Sequence, residues 1–166
     1  MVDDSARACK RPAKPLKARA IALLARREYS RTELRSKLLR SAEGGDVDPL
    51  SVDAMLDDLA ALGYLSDSRF ATAVVRQKSG GYSKRAIGAR LKASGVAPET
   101  VSQALAATEQ DDEEAMVALW RKRFGTAPAN DREKARQVRF LQSRGFSLSA
   151  VFRLLRNPPG EEGAAE

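Results

Sequence analysis

The sequence predicts an all-α fold, an elongated tandem array of three three-helix repeats built from about nine short helices in 166 residues. Three observations lead there. A bulky apolar residue, a serine and a second apolar residue four places after it recur five times: Tyr29-Ser30…Leu34, Leu50-Ser51…Met55, Leu65-Ser66…Phe70, Tyr82-Ser83…Ile87 and Phe146-Ser147…Val151. This is the spacing of a serine N-cap, its hydroxyl accepting from a first-turn N–H while the N′ and N4 residues close a hydrophobic staple. Apolar residues otherwise fall at three- and four-residue intervals, and no segment shows sustained strand alternation. Charge also comes in same-sign blocks that recur about every 50 residues, as tandem units would produce.

A basic tail over residues 1–14 is expected to be disordered, and repeat 1 to span 15–65. Its helices run near Leu16 to Glu28, Arg31 to Arg40 and Val52 to Leu62. The first has a short apolar face around Ile21-Ala22-Leu23-Leu24, the second opens on the capping box Ser30-Arg31-Thr32-Glu33, and the third starts at the Ser51 staple. A loop containing Gly44-Gly45 separates the last two. Repeat 2, over 66–109, has helices near Asp67 to Lys78, Lys84 to Ser94 and Pro98 to Thr108. Ser79-Gly80-Gly81 breaks the first from the second; it lacks both the spacing and the preceding strand of a phosphate loop. Pro98, at a first helical position, stands in for a missing cap hydroxyl. Repeat 3, over 110–156, has helices near Asp112 to Phe124, Arg132 to Ser143 and Leu148 to Arg156, with Gly145 ending the second and a disordered tail at 157–166. Leu91, Gly95, Val101 and Leu105 fall in register with Leu141, Gly145, Val151 and Leu155, while Val52 and Leu56 match Val101 and Leu105. Asp111-Asp112-Glu113-Glu114 sits where a helix macrodipole favours anions, so capping explains it better than metal binding. Met116, Trp120 and Phe124 share one face and belong to the core.

Composition removes several functions. With no histidine, the commonest general base, serine–histidine triads and histidine metal sites are absent. The single cysteine, Cys9, rules out an internal disulfide and fits a reducing compartment, so a cytoplasmic location is expected. No uncharged apolar run approaches the ~20 residues that span a bilayer. No base, nucleophile or metal cluster converges, so neither an enzyme nor a cofactor is expected.

The net charge of +7 understates the asymmetry. Residues 7–40 hold 12 bases and 2 acids, 41–68 hold 7 acids and no base, 69–92 hold 7 bases and no acid, 93–118 hold 6 acids and no base, and 119–156 hold 10 bases and 2 acids. Like charges in a block repel unless a partner offsets them, which points to an anionic partner: nucleic acid or an acidic protein surface. Arg31 and Arg35 lie a turn apart, as do Arg132, Arg136 and Arg139; such guanidinium rows suit bidentate contact with phosphate or carboxylate. Arg26, Arg27, Arg76, Lys84, Arg85, Lys92, Arg121, Lys122 and Arg144 complete the expected contact set. A merely solvated outer face is the competing reading for any one of them.

Leu62-Gly63-Tyr64-Leu65-Ser66-Asp67-Ser68-Arg69-Phe70-Ala71 resembles the signature of the RecX family, regulators of the RecA recombinase. Two further stretches resemble the same family in order: Gly81-Tyr82-Ser83…Ile87…Leu91…Gly95-Val96…Val101…Leu105, and Arg139-Phe140-Leu141-Gln142-Ser143-Arg144-Gly145-Phe146-Ser147. The resemblance covers residues 18 to 156 and implies tandem three-helix repeats. It also implies binding in the groove of the RecA–DNA filament, restraining ATP hydrolysis and strand exchange and favouring filament loss, in homologous recombination, DNA repair and the SOS response. A monomer is expected, with RecA as partner and single- or double-stranded DNA as a further one. The alternative class is a sequence-independent DNA-binding helical protein driven by counterion release. The Gly63 to Ala71 segment itself is expected to be a structural junction between units, with Tyr64, Leu65 and Phe70 as its apolar staples.

Overall fold

A computed structural model describes residues 15–41 and 47–159. The expectations for Cys9, the Gly44-Gly45 loop and residues 1–14 and 160–166 lie outside them. Among the described residues there are nine helices and no strand: α1 (Leu16–Leu24), α2 (Arg31–Arg40), α3 (Pro49–Ala61), α4 (Asp67–Lys78), α5 (Lys84–Ala93), α6 (Pro98–Ala106), α7 (Asp112–Arg123), α8 (Asp131–Ser143) and α9 (Leu148–Arg156). Helices this short are marginal in isolation, so their starts and their burial must fix them.

Serine hydroxyls do cap α2, α4, α5 and α9, with Ser30, Ser66, Ser83 and Ser147 accepting from Glu33, Arg69, Ala86 and Ala150 N–H respectively. Ser51 does not. The cap of α3 is Asp48, whose carboxylate accepts from Leu50 and Ser51 N–H, with Pro49 pre-set at the first helical position. Ser51 therefore lies inside the first turn and donates its hydroxyl to Asp48 at 3.0 Å. The helix starts three residues early because a charged cap followed by proline outcompetes a serine there. Asp111 caps α7, accepting from Glu113 and Glu114 N–H, as the acidic run requires. α1 is shorter than its apolar pattern: it stops at Leu24, leaving Arg26 and Arg27 in the turn beyond.

Three small cores result. Ala20, Leu34, Leu38, Val52, Leu56 and Leu59 close the first, among α1–α3. Phe70, Ala71, Ile87, Leu91 and Val101 close the second, among α4–α6. Met116, Trp120, Leu141, Phe146 and Val151 close the third, among α7–α9. Every extensive helix–helix contact falls within one such triplet. Trp120 is buried, its indole N–H donating to Gln137 Oε1 at 2.7 Å, and the Gln137 amide donates to the Thr126 carbonyl at 3.2 Å. That satisfies a buried polar side chain the sequence did not single out.

The triplets meet through one arrangement used twice. At the first junction, the Ser30 hydroxyl accepts from Glu33 N–H and donates to the Ser94 carbonyl at 2.6 Å, while Arg31 N–H donates to Asp67 Oδ1 at 2.8 Å. At the second, the Ser83 hydroxyl accepts from Ala86 N–H and donates to the Gly145 carbonyl at 2.8 Å, and Lys84 N–H donates to both Asp112 oxygens at 3.0 and 3.1 Å. In each case the middle helix of one triplet starts against the end of the next triplet's middle helix. The carboxylate at the first position of the intervening helix takes the remaining N–H. The Gly63 to Ala71 segment is thus a junction, but through Asp67: Leu65 and Phe70 are buried, whereas Tyr64 is half exposed. Glu33 also departs from a closed capping box, its carboxylate accepting from the Ser94 hydroxyl across the junction at 3.0 Å.

Glycine makes the close approach feasible. Gly95 and Gly145 have φ of +78° and +88°, and a Cβ on either would collide, with Thr32 or with Ala86 and Ser83. Gly63 has φ of +78° too, but open space around it. Gly63→Ala should therefore cost about 1–2 kcal/mol for backbone conformation alone. Gly145→Ala adds overpacking and should cost about 2–5 kcal/mol. Urea denaturation measures the difference; equal losses would show that the junction is not tightly packed.

Candidate anion-binding surface

The alternating charge blocks fold largely onto one another in the first triplet. Arg35 forms a bidentate pair with Asp53 at 2.7 and 3.1 Å, and Arg31 pairs with Asp57 at 2.8 Å while donating to the Asp53 carbonyl at 3.2 Å. The Arg31–Arg35 row, expected to face a partner, instead ties basic α2 to acidic α3. Arg35 holds the Asp53 carboxyl below its ordinary range, chiefly through the side-chain hydrogen bond, and Asp53 in turn raises the Arg35 guanidinium. Asp48 is also lowered, first by the Leu50 N–H and then by the Ser51 hydroxyl.

Other expected contact residues are engaged more weakly. Arg27 stacks 3.7 Å from the Tyr29 ring centroid and reaches Glu33 at 3.5 Å. Arg85 donates to the Gly145 carbonyl at 3.2 Å, reinforcing the second junction, and Lys84 to that of Thr108 at 3.4 Å within its own triplet. Arg144 lies over Tyr82 and Phe140, at 4.7 and 5.2 Å, and Arg136 over Phe124 at 5.5 Å. Guanidinium stacking of this kind leaves the N–H fork able to bind an anion.

The remaining members have no carboxylate within 4 Å among the described residues: Arg26, Arg76, Lys92, Arg121, Lys122, Arg132 and Arg139. All seven are exposed. Arg121 and Lys122 sit in the last turn of α7, where the macrodipole favours cations without any partner. Arg132, Arg136 and Arg139 share the outer side of α8 at three- and four-residue spacing, as expected, and none is paired to an acid among the described residues.

Sequence reasoning missed one cluster. Arg19, Arg26, Lys37 and Arg40 line a pocket of 510 Å³ between α1 and the end of α2, over a floor of Ala22 and Leu23. No single run of residues betrays it, since two helices supply the cations; the seven-residue spacing of Arg19 and Arg26 is the only local hint. A second groove, of 390 Å³, carries residues of all three triplets: Arg27 and Glu33, then Phe70, Val74, Tyr82 and Arg90, then Ser143. Among the described residues no group of three or more potential metal ligands converges, and no helix is long and apolar enough to cross a membrane.

Fold and surface together define a class: a helical-repeat protein that presents cations from rigid three-helix units, with no convergent set of catalytic groups among its described residues. The family models that match are those of RecX, second three-helix domain, over residues 66–105, and RecX, third three-helix domain, over residues 110–155. Curated relatives agree. The regulatory protein RecX of Leptothrix cholodnii is 42% identical over 149 residues, 90% of this chain and 92% of that one. That of Ralstonia pickettii is 41% identical over 140 residues, 84% and 86% of the two chains. The crystal structure of RecX from Lactobacillus salivarius shares the fold with a TM-score of 0.62, at 20% identity over 85% of this chain and 94% of that one. The chain belongs to the RecX family.

The Arg35–Asp53 pair makes a pH prediction. Because folding depresses the Asp53 carboxyl, the pair contributes fully above about pH 4, the ordinary aspartate range, and loses its contribution as acid protonates Asp53. Asp53→Asn should lower the urea midpoint at pH 7, and the gap between variant and wild type should narrow progressively as the pH falls below about 4. Parallel wild-type and variant curves across that range would show the pair to be idle.

Proposed function

We propose that this chain is a non-catalytic regulator that binds in the groove of the RecA–DNA filament, inhibits RecA ATPase activity and strand exchange, and promotes filament disassembly. The observation that carries the reading is the family membership over nearly the whole chain, joined to exposed cations on each of the three triplets that have no acidic partner among the described residues. Rigid junctions favour it, because they fix the spacing between charged faces along the array. Inhibition is steric and conformational: a body in the groove blocks incoming duplex, and bridging neighbouring subunits biases them toward an inactive arrangement. Arg76 and Lys92 on the second triplet and Arg121, Lys122, Arg132, Arg136 and Arg139 on the third face acidic protein surface or DNA; Arg31 and Arg35 act as scaffold. A monomer acting in the cytoplasm suffices for this.

RecA ATPase on single-stranded DNA is the test, with this protein added well below the concentration of DNA sites. Inhibition at that level is expected. Inhibition only when the DNA is saturated would sink the filament reading in favour of sequence-independent DNA competition. Changing Arg132, Arg136 and Arg139 together to alanine should weaken inhibition roughly tenfold or more, at about 1.4 kcal/mol per decade of affinity, while far-ultraviolet circular dichroism stays the same. Undiminished inhibition would move the binding face off α8.

A further inference from the structure

The 390 Å³ groove takes its lining from all three triplets, and the two junctions shape it. Phe70, Val74 and Ile87 of α4 and α5 give it an apolar floor, Arg27 and Glu33 come from the first triplet, and Ser143 comes from the third. Both neighbours are held in place by the serine contacts. Glu33 accepts from the Ser94 hydroxyl at 3.0 Å, and Ser143 lies two residues before Gly145, whose carbonyl takes the Ser83 hydroxyl at 2.8 Å. The groove therefore forms only in the assembled array and is preorganised there, which spares an incoming ligand much of the cost of ordering its site.

Its chemistry joins that floor to a surplus of positive charge. Arg27, Lys78 and Arg90 line the groove together with one acid, Glu33. That carboxylate is shared between Arg27 at 3.5 Å and Arg90 at 3.8 Å besides serving Ser94, so it offsets only part of the charge around it. Tyr82 also lines the groove, and its ring is overlaid by two cations, the Arg144 guanidinium 4.7 Å and the Lys78 ammonium 5.3 Å from the centroid. Stacking positions these groups without using up their N–H donors.

We infer that this groove grips a short acidic segment of a protein partner, with an aliphatic side chain set against Val74 and Ile87 and neighbouring carboxylates on the surrounding cations. Guanidinium forks match carboxylates bidentately, and the apolar floor selects a peptide that carries an aliphatic group beside its charge. A nucleic-acid strand fits poorly. Its backbone brings no apolar group to Val74 and Ile87, Phe70 is only 2% exposed, and the Tyr82 ring is already overlaid by cations, so no aromatic face stands free for a base to stack on. The inference deepens the filament reading, on which it rests for the partner's identity: the segment belongs to the recombinase, held at a place that Arg132, Arg136 and Arg139 do not line.

The test is fluorescence anisotropy of the full chain with a labelled peptide of alternating glutamate and leucine, which offers a carboxylate beside an aliphatic side chain in every register. Saturable binding that weakens as salt rises is expected. Val74→Phe fills the floor without changing charge and should weaken binding roughly tenfold or more. Gln77→Glu places a carboxylate at an exposed position of the lining and should weaken it roughly threefold while the urea midpoint holds, which separates a lost groove from a lost fold. A glutamate–serine peptide of the same length should bind roughly tenfold more weakly than the glutamate–leucine one. Oligo-dT affinity should be the same for wild type and Val74→Phe. No peptide binding by wild type, undiminished binding by either variant, or equal binding of the serine peptide would each overturn the inference. So would a parallel loss of oligo-dT binding, which marks a strand site, or a concentration-dependent dimer that Val74→Phe abolishes, which gives the groove to a second copy. In the RecA ATPase assay, roughly tenfold more Val74→Phe protein should be needed for the same inhibition. Wild-type inhibition left unchanged by Val74→Phe sinks the groove alone; groove-dependent peptide binding without any ATPase inhibition by wild type sinks the filament reading alone.

Discussion

A serine hydroxyl that caps its own helix still has a proton to give, and in Ser30 and Ser83 that proton goes to a carbonyl of the next triplet. Both serines are buried and start the middle helix of their triplet; Ser147 starts a third helix, makes no bond to another triplet among the described residues and is exposed. The same atom therefore fixes where a helix begins and where its neighbour sits. Three cores of this size are individually weak, since small units bury too little apolar surface to be stable alone. Joining them through satisfied hydrogen bonds, with glycine opening the space, makes the surface of the whole array one rigid display.

That rigidity gives charge its meaning. In solution, isolated arginines on short helices would contribute little that is specific, because flexible exposed charges are screened within ~10 Å. Held at fixed angles, they become a pattern. The pattern is not the one that the basic blocks imply. Arg31 and Arg35, in the most basic stretch, are consumed by Asp57 and Asp53, while Lys37 and Arg40 of the same helix have no acidic partner among the described residues. Segregation along the chain thus serves two ends: basic and acidic helices pack side by side in the first triplet, and the surplus of bases is exported to the outer faces.

What the sequence made legible was local. Serine caps, the glycine at the end of α8, the acidic start of α7 and the three- and four-residue apolar rows are written within a turn or two, so helices and register could be read directly. The failures are where local signals compete or distant ones decide. Ser51 has a cap's spacing, but Asp48-Pro49 supplies a stronger start three residues earlier. Glu33 completes a capping box in sequence, yet its carboxylate serves Ser94, 61 residues away. Asp67 looks like an ordinary first-turn acid until Arg31 N–H is found donating to it. The pocket of Arg19, Arg26, Lys37 and Arg40 was illegible for the same reason, because it exists only once α1 and α2 are packed.

The central claim is that a buried cap hydroxyl joins each triplet to the next, and it is tested by removing one cap hydroxyl that makes that second bond and one that does not. Ser30→Ala should cost about 2–3 kcal/mol by urea denaturation, the loss of a cap plus a buried carbonyl left without its donor. Ser147→Ala, which loses a cap and an exposed contact with the Ser149 hydroxyl, should cost about 1 kcal/mol. Equal losses at the two positions would contradict the account, showing that the serines start helices and do nothing to hold the array together.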